Sequence, residues 1–235
     1  MSDWARHEEL TARLDGVRRR IAGAAAAAGR EPAEVTLVAV TKLFPASDVR
    51  ILADLGVTHI GENRHPEAAE KRAECDDLPL TWHFIGGLQS NKAAAVGSYA
   101  DVVESVDRTK LVSALDRGAH QRGHPVDVLL QVSLDPPGSS GRSGAAAADL
   151  ASLADAVDAA GMLTVRGLMA VAPLDEDPRA AFAWLSAIRD DFLVERPDAT
   201  WLSAGMSHDL EAAIEAGATH VRVGSAILGR RPHIE

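Results

Sequence analysis

The sequence predicts an α/β fold, a single (β/α)8 barrel of the TIM type. Short β-branched runs alternate with helical stretches along the 235 residues, the pattern of a parallel sheet. There are eight such strand candidates, each followed by a helical stretch, and eight units close a barrel. No linker or composition break divides the chain, so residues 1–235 are expected to form one domain, with residues 1–30 as an N-terminal helix packed on the barrel.

The opening helix is expected over about 4–28, and the first strand is the apolar run 35–40. Pro45 starts the next helix, since proline suits a first turn, with Val49, Leu52 and Leu55 on one face. Strand two is expected at 57–60 with its helix at 66–75, and strand three at 81–85 with a helix through 92–96. Strand four covers 101–106, followed by a helix over 107–122. Strand five spans 126–133, then a Gly/Ser/Pro-rich loop at 136–144 and a helix to about 160. Strand six is 163–171 with a helix at about 178–194, and strand seven is 200–203 with a helix at about 208–216. Strand eight is 220–223, and a short helical tail begins near Ser225.

Composition excludes several function classes. A net charge of −10 argues against nucleic-acid binding, which needs clustered Lys and Arg. No run approaches the roughly 20 apolar residues of a membrane span, and the first residues lack a basic-then-apolar leader pattern. The single cysteine, Cys75, forms no disulfide within the chain and suits a reducing cytosol; a cytoplasmic protein is expected. Acidic neighbours at Glu74, Asp76 and Asp77 disfavour its thiolate, so it is taken as an unreactive thiol.

The active face of such a barrel lies at the C-terminal ends of its strands. Lys42 directly follows strand one, and by strand alternation it shares a face with Val38 and Val40. A lysine there either snorkels to solvent or points into the barrel mouth, where desolvation would lower its pKa and make it a nucleophile toward aldehydes. Ser203 to Ser207 join strand seven to a helix that Ser207 would cap, and Arg222-Val-Gly-Ser225 joins strand eight to the terminal helix. Two such helix starts form either ordinary caps or a phosphate cradle of N–H groups and hydroxyls. Together with Lys42, the cradle points to a phosphorylated aldehyde.

The motifs Val38-Ala-Val-Thr-Lys42, Gly61-Glu-Asn63, Trp82-His-Phe-Ile-Gly86 and Leu88-Gln-Ser-Asn-Lys92 occur in this order, followed by Ser105-Val-Asp-Arg108, Gly167-Leu-Met169, Leu202 to Ser207 and Val221 to Ile227. Over about 190 residues the chain thereby resembles the YggS/PROSC-type pyridoxal phosphate homeostasis proteins, whose barrel is that of the N-terminal domain of alanine racemase. The resemblance implies pyridoxal 5'-phosphate (PLP) held as an internal aldimine, a Schiff base, on Lys42. It implies that Ser207, Gly224 and Ser225 hold the phosphate with Ser203 nearby, and that Arg222 faces the pyridine nitrogen. Asn63 and His83 would be pocket members, although His83 reads equally as a core histidine. The departures are Gly87 in place of the family's usual histidine, Arg64 where an aromatic is common, and Ala204 and His208 around Gly205-Met-Ser207.

The resemblance also bears on catalysis. An arginine at the pyridine nitrogen is a poor proton donor because its pKa is very high, which weakens the electron sink. A racemase of this architecture takes a second base, a tyrosine, with the help of a C-terminal β domain. The sequence ends at Glu235, shortly after strand eight, and its one tyrosine, Tyr99, precedes strand four. A monomeric PLP carrier is therefore expected, one that buffers PLP or hands it to PLP-dependent apoenzymes without robust catalysis. A PLP-dependent amino-acid racemase or other weak PLP enzyme is the alternative. A metal-dependent hydrolase is a third class, but the i, i+4 pair His120 and His124 spans Gly123 and abuts Pro125, which spoils metal-ligand spacing on a helix.

Overall fold

The structure, a computed structural model, describes residues 3–135, 143–173 and 177–229. A helix, α1 (Asp3–Ala27), precedes β1 (Thr36–Val40), α2 (Ala46–Asp54), β2 (His59–Glu62), α3 (Glu67–Glu74), β3 (Thr81–Phe84) and α4 (Ala93–Gly97). There follow β4 (Val102–Val106), α5 (Thr109–Arg122), β5 (Val126–Gln131), α6 (Leu150–Asp158), β6 (Leu163–Met169), α7 (Pro178–Glu195), β7 (Trp201–Ser203), α8 (Leu210–Glu215), β8 (His220–Val223) and α9 (Ser225–Leu228). The eight strands pair in sequence order, all parallel, and β8 pairs back to β1 to close the barrel. The expected fold class is the observed one.

Several boundaries shift by one or two residues from the sequence-based expectation, strands five and six ending at Gln131 and Met169, and two of the shifts have a clear local cause. Strand two starts at His59, two residues late, because Gly56 at φ +81° ends α2 and the Val57 N–H still closes that turn on Leu52 O. Register with β1 and β3, where His59 sits beside Val38 and Thr81, then carries the strand on to Glu62. The helix after strand seven starts at Leu210, because Asp209 Oδ1 accepts from Met206 N at 2.6 Å and closes a turn over residues 206–209. Ser207 is therefore not the cap of α8. Most of the loop expected at 136–144 lies outside the described residues.

Burial explains how α1 is held. Leu10, Leu14, Val17 and Ile21 recur at helical spacing, are all buried, and pack with Leu210, Ile214, Val221 and Ile227 in one cluster. Fully burying one such side chain stabilises by about 1.5–3 kcal/mol. The polar edge of α1 reaches neighbouring parts of the fold. Arg6 donates to both Asp48 oxygens (3.1 and 2.6 Å) and to Leu228 O at 3.2 Å. Arg20 clasps Glu211 and donates to Ser207 O at 3.0 Å. The helix thus ties together α2, α9 and the loop that carries Ser207.

Candidate functional site

At the C-terminal ends of β1 and β8 lies a cavity of about 220 Å³ lined by residues that include Lys42, Arg222, Gly224, Ser225 and Ser207. Strand alternation persists past the end of β1. Thr41 turns outward, where its hydroxyl donates to Glu62 Oε1 at 2.6 Å, and Lys42 turns in with Val40. Phe44, Ile85, Met206 and His208 complete much of the wall. The lining is one amine, one guanidinium, one imidazole and two hydroxyls set among apolar side chains, at a volume that suits a single small ring. A larger cavity, about 490 Å³, lies at the opposite end of the barrel around Arg18, Thr36 and His59. No lysine lines it, so the smaller mouth cavity, which holds Lys42, is the candidate site.

The turn that carries Lys42 is clamped from outside the barrel. Leu43 sits at φ +68°, a left-handed conformation that costs a non-glycine residue about 1–3 kcal/mol and is kept only where neighbours enforce it. Here Glu67 Oε1 accepts from Leu43 N at 2.8 Å. Lys71 Nζ donates to Thr41 O at 2.9 Å and to Glu62 Oε1 at 2.5 Å. Lys71 and Glu62 are both buried. Burial pushes the Glu62 carboxyl above its usual range in spite of the pull from Lys71 and Thr41.

Ser207 and Ser225 converge from two loops, their hydroxyls 3.1 Å apart. Ser207 Oγ accepts from Ala226 N at 3.3 Å, so it serves the start of α9 and not that of α8. Gly224 sits where a Cβ would press within 3.1 Å of Val40 O; the close approach of the backbones needs glycine.

Arg222 points into the barrel. Its Nη1 donates to Ser203 Oγ at 2.6 Å and its Nη2 to Ala170 O at 2.9 Å. Ser203 in turn donates to Glu104 Oε2 at 2.6 Å. The strands β4 and β7 lie on different sides of the ring, so this bond crosses the interior. Burial alone would raise the Glu104 carboxyl, but His83, Arg222 and Ser203 outweigh it and hold it at about 2.

Of the residues expected at the site, Lys42, Ser207, Arg222, Gly224 and Ser225 share one cavity, and Ser203 touches it through Arg222. Asn63 and His83 do not line that cavity. Asn63 ends up in a neighbouring depression with Arg64, Gln89 and Lys92, because the backbone past Glu62 turns away over Gly86, where a Cβ would meet Asn63 O at 2.2 Å. His83 is a core residue, bonded to Glu104 at 2.8 Å. Glu104 was not singled out from sequence, though a carboxylate inside the apolar run Val102 to Val106 is a readable signal. Tyr99 does not line the Lys42 cavity. Its ring stacks on His65 at 5.9 Å. Cys75 is buried, and burial raises its thiol against the pull of Arg50, with Asp77 and Glu74 adding to the rise. Gly123 at φ +74° ends α5 and leaves His124 off the helix. Among the described residues no group of acidic, His or Cys side chains could hold a metal ion, and no helix is long and apolar enough to cross a membrane.

The fold and the mouth cavity define a barrel of the alanine racemase N-terminal type, and the family model for the alanine racemase N-terminal domain matches residues 13–232. The pyridoxal phosphate homeostasis protein of Mycobacterium tuberculosis is 41% identical over 244 residues, covering 96% of this chain and 94% of the relative. That of Pseudomonas aeruginosa is 43% identical over 217 residues, covering 92% and 94%. The solved structure of PipY from Synechococcus elongatus with PLP bound is 36% identical at a TM-score of 0.80, covering 94% of this chain and all of that one. The chain belongs to the pyridoxal phosphate homeostasis protein family.

Proposed function

We propose that this protein binds PLP in the mouth cavity, with Lys42 as its covalent anchor, and works in the intracellular homeostasis of the cofactor as one barrel domain. The observation that carries the reading is the convergence of Lys42, Arg222, Ser207 and Ser225 on one cavity of about 220 Å³. An amine suits an aldehyde, paired hydroxyls at a helix start suit a phosphate, and apolar walls suit a small aromatic ring. The likeness to a structure with PLP bound supports the same ligand. When bound, the cofactor supplies a reactive aldehyde carbon and, in enzymes, an electron sink.

The chain's own residues define a holder. Lys42 is presented at a rigid turn, the serines and the Gly224 backbone receive the phosphate, and Arg222 meets the ring with a group that keeps its protons. Tyr99, stacked on His65 outside this cavity, is not placed to act as a second base. These features support a carrier that holds PLP without robust turnover; we take it to be a cytoplasmic monomer that exchanges PLP with apoenzymes. The racemase alternative has the family model's description in its favour.

The test is an absorbance spectrum of the purified protein before and after borohydride, with mapping of the modified peptide. A visible band converted to a fixed adduct on Lys42 supports the reading. A colourless protein that PLP does not reconstitute overturns it. Incubation of the loaded protein with L-amino acids separates the alternatives, since steady formation of the D-enantiomer would make it an enzyme.

A further inference from the structure

The interior of a barrel of this kind is ordinarily filled by Val, Ile and Leu. Here a chain of polar side chains runs down it. It starts at Arg222 in the mouth and passes through Ser203 to Glu104 by two bonds of 2.6 Å. Glu104 Oε1 is 2.8 Å from His83 Nδ1, and His83 Nε2 is 2.9 Å from His59 Nδ1. His59 lines the larger cavity at the far end.

Donor and acceptor counts fix the sense of the inner links. Arginine only donates and an ionised carboxylate only accepts. Ser203 therefore gives its single proton to Glu104 and a lone pair to Arg222. His83 carries its proton on Nδ1, toward Glu104. Arg222 is 4% exposed and Glu104 fully buried, and their nearest atoms are 3.7 Å apart. Glu104 is thus the counter-charge of a buried guanidinium, held one hydroxyl away from it. Two of the five N–H groups of Arg222 are spent on Ser203 and Ala170. Those two bonds set the plane of the guanidinium and leave its other donors for the cavity.

We propose that Glu104 is the positioning residue for the bound ring: it fixes the plane of Arg222 through Ser203, and the His83–His59 pair fixes Glu104 in turn. This rests on the reading that the mouth cavity takes PLP. A lone structural carboxylate would affect folding without coupling to the ligand. A positioning carboxylate acts on the ligand only while Arg222 is present.

The experiment measures the PLP dissociation constant and the visible spectrum of the wild type, Glu104→Gln, Arg222→Gln and the double variant. Glu104→Gln is expected to weaken PLP at least tenfold and to move the visible band. In the Arg222→Gln background the same change is expected to cost less than twofold further. Unchanged affinity and spectrum in Glu104→Gln, or losses that multiply in the double variant, would overturn the proposal. Should Glu104→Gln fail to fold, Ser203→Ala removes the link while keeping the charge, and the same coupling with Arg222→Gln decides. A wild type that borohydride does not trap at Lys42 overturns the functional reading and this inference together. A trapped wild type with uncoupled variants overturns this inference alone.

Discussion

Lys71 reaches from α3 to the backbone of Thr41, the residue before Lys42, at 2.9 Å, and the same ammonium holds the buried Glu62 carboxylate. One lysine outside the barrel wall therefore fixes the turn that presents another lysine inside it. Removing one partner of a buried pair costs about 3–5 kcal/mol, because the other is left uncompensated. Lys71→Met is expected to lose stability on that order in urea titration and to bind PLP more weakly. Adding Glu62→Gln should restore much of the stability, since the stranded charge is gone, but not the hold on Thr41 O. A Lys71→Met protein as stable as wild type would refute the clamp.

Lys42→Ala should leave the barrel folded, because Lys42 is only partly buried and sits past the end of β1. Circular dichroism and the urea midpoint are expected to match wild type, while borohydride traps no PLP at all. Trapping on a peptide elsewhere would relocate the anchor.

Ser207 and Ser225 stand with hydroxyls 3.1 Å apart at the start of α9. A hydrogen bond to a charged group contributes about 1.5–3 kcal/mol, or roughly 10- to 100-fold in affinity. Ser207→Ala and Ser225→Ala are each expected to weaken PLP by about tenfold in equilibrium dialysis. Pyridoxal, which lacks the phosphate, should bind both variants and the wild type alike. Equal losses for the two ligands would place the phosphate elsewhere.

The strand–helix order and the inward aim of Lys42 were legible because both depend on local pattern. Val38, Val40 and Lys42 alternate in parity, and the strand ends where the pattern ends. The partner of Arg222 was not legible, since Glu104 and Ser203 are 99 residues apart and meet only because the ring closes. Ser207 misled for a different reason. Serine two residues before an aspartate reads as a cap, but Asp209 closes the preceding turn itself, which frees the Ser207 hydroxyl for α9. Asn63 was assigned to the cavity by its motif, and the direction of the backbone past Glu62 carries it away.

The polar interior also sets how stability depends on pH. Burial, aided by the neighbouring His83, lowers His59 to about 4. Burial likewise lowers His220 to about 4, with Glu104 pulling the other way. Both start from about 6.5 in the unfolded chain. Between those values the unfolded state binds more protons, so stability falls as pH drops from about 6.5 toward 4. Glu104, held at about 2 against 4.5, adds a second loss of the same sign below about 4.5. The raised Glu62 carboxyl has the opposite sign: its share is present at low pH and lost as pH rises above about 4.5. Two histidines against one carboxyl give a net loss on acidification from pH 7 to 5. The 4% exposed His220 alone contributes a slope of about 1 kcal/mol per pH unit there. Urea titrations at pH 7, 6 and 5 are expected to show that decline, and His220→Gln should flatten it. A midpoint independent of pH over this range would mean that the histidines are already charged inside the folded barrel.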